Sequence, residues 1–264
     1  MRPIRSAFFP GLCVLLALAL VPPANAGGPA TSPGVNLTWS RCLGEGVGTQ
    51  NRAFACDTND GSDVLVVSFV LPAPLAQVSG NEVSIDLISQ DDPLPAWWDF
   101  KNAGTCRQLS LTFNSTADAN DVVCVDWARG GSSGGIGAYT TGTPPSMGNI
   151  DPALADRHRR CVIALAVPPD ALADLLADTE YFSCNIVIDH RKTVGTGACA
   201  GCSGSVCLVL QMLNVTTPVL ANNMLLSGGT TTGSDWARWQ GNGAECSLVP
   251  VKNKTWGEVK AMYR

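Results

Sequence analysis

Residues 82–87, Glu-Val-Ser-Ile-Asp-Leu, alternate polar and apolar side chains without a break. In an extended chain successive side chains point to opposite faces. Val83, Ile85 and Leu87 therefore share one face and Glu82, Ser84 and Asp86 the other, as in a half-buried strand. The same period returns at Leu109-Ser110-Leu111-Thr112-Phe113 and from Phe182 to Ile188, where Val187 interrupts it. Val64–Leu71 and Val162–Val167 are nearly continuous apolar runs, the pattern of central strands covered on both faces. Leu37–Arg41, Ala53–Cys56, Val122–Trp127, Val206–Val215 and Asp235–Gln240 complete the expected strands.

Turn residues separate these runs: Asn59-Asp60-Gly61, Ser79-Gly80-Asn81, Gly228-Gly229 and Gly241-Asn242-Gly243. Many short strands with Gly-rich turns predict an all-β chain, a β-sandwich or jelly roll over residues 36–250. Asp170–Ala177, entered through Pro168-Pro169, is a helix candidate, with an irregular crossing loop as the alternative. Val70-Leu71-Pro72 to Ile85-Asp86 is faintly echoed by Val167-Pro168-Pro169 to Ile188-Asp189. We read the echo as the general likeness of sandwich crossings. Residues 129–149 are Gly/Ser/Thr/Pro-rich and read as a loop within one domain.

The two ends have their own signatures. Residues 1–26 read as a secretory signal: Arg2 and Arg5, an apolar stretch from Ala7 to Leu20, and Ala24-Asn25-Ala26 at the cleavage point. Residues 27–35 form a Gly/Pro-rich leader. At the other end, Thr255-Trp256-Gly257-Glu258 fits a capping box, and Trp256 and Val259 fall on one face of a short amphipathic helix over residues 251–264. The expected location is secreted, periplasmic or cell-surface, with no transmembrane segment. The net charge of −5 becomes more negative once Arg2 and Arg5 leave, which argues against nucleic-acid partners. Charged residues are 15% of the chain against about 25% in ordinary domains, so the surface is rich in neutral hydroxyls and amides.

Export makes thiols into cross-links. Beyond Cys13 in the signal stand Cys42, Cys56, Cys106, Cys124, Cys161, Cys184, Cys199, Cys202, Cys207 and Cys246, an even number that allows five disulfides. The spacing does not determine the pairing. Neighbouring strands make Cys42–Cys56, Cys106–Cys124 and Cys161–Cys184 the simplest set. Cys199-x-x-Cys202 with Cys207 and Cys246 does not have the paired spacing of a zinc site, and a strand rather than a helix follows it, which argues against a redox centre. No metal and no cofactor is expected.

No catalytic set emerges. His158 and His190 lie in polar stretches beside strands, and Gly131-Ser132-Ser133-Gly134-Gly135 matches a nucleophile elbow in letters but is not followed by a helix. A serine hydrolase on Ser132 or Ser133 with His190 is the enzymatic alternative. Asp57-x-Asn59-Asp60-Gly61-x-Asp63 lacks calcium-loop spacing and reads as a hairpin turn. Asp91, Asp92 and Asp99 around Trp97-Trp98 read as solvated loop carboxylates. The aromatic pairs are the binding candidates: Trp97 and Trp98, and Trp236 and Trp239, each pair straddling a strand, with one or two rings offering a platform for sugars. Asn36, Asn114, Asn214 and Asn253 lie in glycosylation sequons.

Leu94-Pro95-Ala96-Trp97-Trp98, the segment from Thr193 to Cys202, and Lys252 to Lys260 with its Thr-Trp-Gly-Glu-Val-Lys core carry a likeness. In these segments the chain resembles a family of uncharacterised secreted proteins from environmental bacterial genomes. The resemblance implies a bacterial host and an exported β-rich protein, and no activity. Together these readings lead to the expectation of a non-catalytic extracellular structural or adhesion protein, with a carbohydrate-binding module as the alternative and a protein or polysaccharide as partner.

Overall fold

The computed structural model describes residues 32–100, 103–117, 124–129, 134–140, 156–228, 234–241 and 246. The export signal, the C-terminal helix, Ser132 and Ser133 lie outside them. In chain order the strands are β1 (Gly34–Trp39), β2 (Asn51–Arg52), β3 (Ser62–Val70), β4 (Leu75–Val78), β5 (Gly80–Ser89), β6 (Leu111–Asn114) and β7 (Val125–Asp126). Then come β8 (Gly134–Thr140), β9 (His158–Ala166), β10 (Ala173–Leu175), β11 (Glu180–Asp189), β12 (Val206–Thr216), β13 (Met224–Ser227) and β14 (Trp236–Trp239). The chain is mostly β, as its alternation predicts. β1 begins inside the expected leader, because Val35 is buried against β3.

One sheet runs β1-β3-β11-β6, with β7 also on β11; the second runs β2-β14-β12-β5-β9-β8, with β13 also on β12; β4 and β10 form a small third sheet. Leu65, Val67, Phe69 and Ile186 of the first sheet share one apolar cluster with Val83, Ile85, Leu87 and Leu208 of the second. β5 is covered on both faces rather than half-buried: Ser84 and Asp86 are as buried as their apolar neighbours. Cys207, Val209 and Cys246 form a separate cluster on the opposite face of the second sheet, with Trp236 packed against it.

The internal echo is structural. β3-β4-β5 and β9-β10-β11 pair with one another element for element: β3 with β11, β4 with β10, β5 with β9. The starting registers match. Val70, Phe69 and Ser68 face Glu180, Tyr181 and Phe182, just as Ala166, Leu165 and Ala164 face Gly80, Asn81 and Glu82. A shift between Phe182 and Cys184 then breaks the equivalence. This pairing also overturns the helix expected at Asp170–Ala177. Ala173 and Leu175 are extended because β4 offers Val78 and Leu75 as ladder partners, and tertiary pairing outweighs local helix propensity.

The two sides of this pseudo-symmetric core differ. On one, β1 is tied to the second sheet: Leu37 N–H donates to Ser234 O (2.7 Å) and the Trp39 indole to Arg238 O (2.9 Å). On the other, β6 and β8 are edge strands, and no described strand continues either sheet beyond them.

Four disulfides are formed: Cys42–Cys124, Cys56–Cys202, Cys106–Cys199 and Cys207–Cys246. They correct the expected Cys42–Cys56 and Cys106–Cys124 pairs. They also span far more chain, closing separations of 82, 146, 93 and 39 residues. By chain entropy each such link alone is worth about 4–5 kcal/mol. Cys161 and Cys184 are free thiols, not a fifth bridge. The neighbour rule fails here because β9 and β11 belong to different sheets. Among the described residues no helix is long and apolar enough to cross a membrane.

Candidate functional site

Three of the four Trp residues singled out by sequence, Trp97, Trp98 and Trp239, build the core instead of a platform. Trp97 and Trp98 sit in a short 3-10 turn (Ala96–Trp98), not on a strand, and both are buried, as is Trp239. Trp97 stacks on Trp239 with centroids 5.1 Å apart, while Trp98 meets Trp239 edge-on at 5.4 Å. Two of the three indoles are hydrogen-bonded internally: that of Trp97 donates to Thr193 Oγ1 (3.0 Å) and that of Trp239 to Cys202 O (2.8 Å). Trp236, on the opposite face of β14, is half-buried, and the Arg238 guanidinium lies 4.5 Å over its ring. None of Trp97, Trp98 and Trp239 has a ring face free for a sugar.

Above this aromatic end the Cys-x-x-Cys pair is divided between two links, Cys199 to Cys106 and Cys202 to Cys56, which clasp three loops together. Arg107 lies buried beneath the clasp, its guanidinium 3.5 Å over the Trp97 ring and hydrogen-bonded to Trp97 O and Asp189 O. Burial lowers it to about 9, so it stays cationic at neutral pH.

Both histidines are buried beside carboxylates. His190 Nε2 faces Asp63 Oδ2 and Nδ1 faces Asp60 O, each at 2.8 Å, with the Phe54 ring stacked 3.9 Å away. Both ring nitrogens are thus engaged in holding the 57–63 loop, so His190 has no nitrogen free for a serine hydroxyl. The loop is not a hairpin turn, because Ala53–Cys56 is not a strand. Asn59 Oδ1 accepts from Thr193 N–H and Val194 N–H, and Asp63 is paired with Arg52 and His190. His158 Nε2 lies 3.1 Å from Asp86 Oδ1, beside the Arg160–Asp86 ion pair. No cluster of three metal-ligating residues occurs among the described residues. Asp91 and Asp92 are exposed loop residues, as expected. Asn36 is buried and hydrogen-bonded to Glu180 and Ser234, so its sequon is closed in the folded chain.

A cavity of about 260 Å3 opens between the two edge strands. β6 contributes Leu111, Thr112 and Phe113 to it; β8 contributes Gly137, Ala138 and Tyr139; Phe100, Cys161, Ile163 and Ile186 complete the wall. At Gly137 the two edges approach closely: an added Cβ would stand 3.0 Å from the Phe113 ring. Burial holds the Tyr139 hydroxyl well above its usual range and pushes the Cys161 thiol up to about 12, so both are neutral at physiological pH. The Tyr139 hydroxyl also donates to Trp98 O. The lining side chains are mainly apolar and none is charged, with Thr112 and Tyr139 adding polar groups, an arrangement suited to holding a hydrophobic group.

Compared with family models, with curated proteins and with solved structures, the chain matches none.

Sequence reasoning missed this cavity because one wall of it, Gly137, Ala138 and Tyr139, lies in the stretch read as a loop, where β8 runs. Glycine at alternate positions 135 and 137 was the available signal, since strand glycines mark close approach of another backbone or ring. Cys161 and Cys184 lead to a direct test. Burial pushes both thiols up to about 12, so they should resist alkylation in the native protein. After unfolding without reductant, peptide mass spectrometry should find Cys161 and Cys184 labelled and the eight bridged cysteines unlabelled. Labelling of neither would mean a fifth disulfide.

Proposed function

We propose that this is an exported, non-catalytic interaction protein, a disulfide-stapled β-sandwich that holds its partner at the side between β6 and β8. The carrying observation is the uncharged cavity, lined mainly by apolar side chains, between two edge strands. The ionisable groups in its wall, Tyr139 and Cys161, are both held neutral by burial, which suits binding rather than proton transfer or nucleophilic attack. Four disulfides support an oxidising compartment. Exposed apolar side chains border the same edges: Ile136 on β8, Val125 on β7 and Leu109 just before β6. A photo-reactive benzoylphenylalanine placed at Ile136 in producing cells should cross-link one extracellular macromolecule. The same probe at Leu220, equally exposed but not on these edge strands, should not. Equal capture at the two positions, or none at Ile136, would refute the assignment.

A further inference from the structure

We propose that the occupant of this side is an extended polypeptide segment, added as a further strand along β8 with an apolar side chain lodged in the cavity. This rests on the reading of the β6–β8 side as the interaction site and names its partner class. The first observation is the backbone of β8. It pairs with β9 in unbroken register from Gly134↔Ala166 to Thr140↔Arg160. In an antiparallel ladder alternate residues direct N–H and C=O away from the partner strand, and those of β8 meet no described strand.

Proteins usually blunt such edges with charge, proline, a bulge or brevity. β8 has seven residues, Gly-Gly-Ile-Gly-Ala-Tyr-Thr, with no charge, no proline and no register shift. The other described edges are managed: β1 is bonded to Ser234 and Thr49, β6 and β13 have four residues, and β2 has two.

The second observation is the space beneath that edge. A strand laid along β8 would send alternate side chains between the sheets, where the cavity lies. At about 260 Å3 it exceeds the roughly 150 Å3 that suffices for benzene, so an aromatic or branched aliphatic side chain fits. Only an extended backbone answers a row of donors and acceptors at strand spacing while delivering an apolar group inward.

The mature protein can be titrated with the peptide Lys-Thr-Val-Thr-Phe-Thr-Val-Thr-Lys. Saturable binding should slow amide exchange in β8. N-methylation of the two peptide amides facing the edge, or Phe replaced by Thr, should each weaken binding at least about tenfold. An N-methylated peptide that binds as well as its parent would overturn strand addition. Unchanged affinity after the Phe replacement would overturn the cavity anchor.

Failure of the peptide, with toluene still raising the Tm of wild type but not of Cys161→Phe, would leave the interaction site standing and reject a polypeptide. Failure of peptide and toluene, with no cross-link at Ile136, would remove both. A dimer in sedimentation that Ile136→Lys dissolves would give the edge to a second copy and overturn the proposal.

Discussion

Trp239→Ala is expected to cost about 3–5 kcal/mol, measured by chemical denaturation, whereas Trp236→Ala on the same strand should cost about 1 kcal/mol or less. The two residues lie three apart on β14 and so face opposite ways. Trp239 is fully buried, stacked on Trp97, with Trp39 and Trp98 at centroid distances of 5.9 and 5.4 Å. Removing its ring leaves a cavity at the junction of β1, β14 and the 3-10 turn. It also strips Cys202 O of an indole donor inside the disulfide clasp. The clasp cannot relax inward to fill the gap, because Cys56–Cys202 and Cys106–Cys199 hold it from two sides. Trp236 loses mainly its contact with Arg238 and part of the outer cluster around Cys207 and Cys246. Equal costs at the two positions would mean that the face assignment of β14, and with it the register on β12, is wrong.

This contrast shows what was legible in the chain. Period-2 alternation located β5 and β11, and the apolar runs located β3 and β9, because burial is written locally. That Trp236 and Trp239 lie on opposite faces of β14 was legible too, but not which of them the core takes. The strand period makes the two faces of β14 equivalent until a partner sheet is placed. β8 and β10 were misread for a different reason. Their residues have little strand propensity of their own, and the ladder with β9 or β4 makes them extended. β8 needs glycine for this: a Cβ at Gly135 would stand 2.5 Å from Ala164 O. The disulfides were illegible because they join segments up to 146 residues apart that meet only after both sheets form. The cavity follows from the same long-range assembly.

Arg160→Met should cost about 3–5 kcal/mol at pH 7, and the cost should shrink as the solution is acidified. Arg160 and Asp86 face each other across the β5–β9 ladder, where both are buried, with Nη2 of the guanidinium 2.6 Å from Oδ2 of the carboxylate. Burial alone would raise the Asp86 carboxyl, but the bonds from Arg160 and the nearby His158 outweigh it and hold it below the usual range. A carboxyl lowered by folding stabilises the native state above its unfolded value near 3.8; that gain is lost as pH falls below it. Without Arg160 the burial effect dominates, the carboxyl rises, and the sign reverses: the variant is penalised at neutral pH and relieved once Asp86 is protonated. Denaturation curves from pH 7 to pH 3 should therefore converge for wild type and Arg160→Met. The double variant Asp86→Leu/Arg160→Met, which removes both charges, should be near neutral or more stable, because an apolar pair avoids the desolvation cost of two ions. A pH-independent gap, or a cost below about 1 kcal/mol, would mean that this face of the second sheet is open to water.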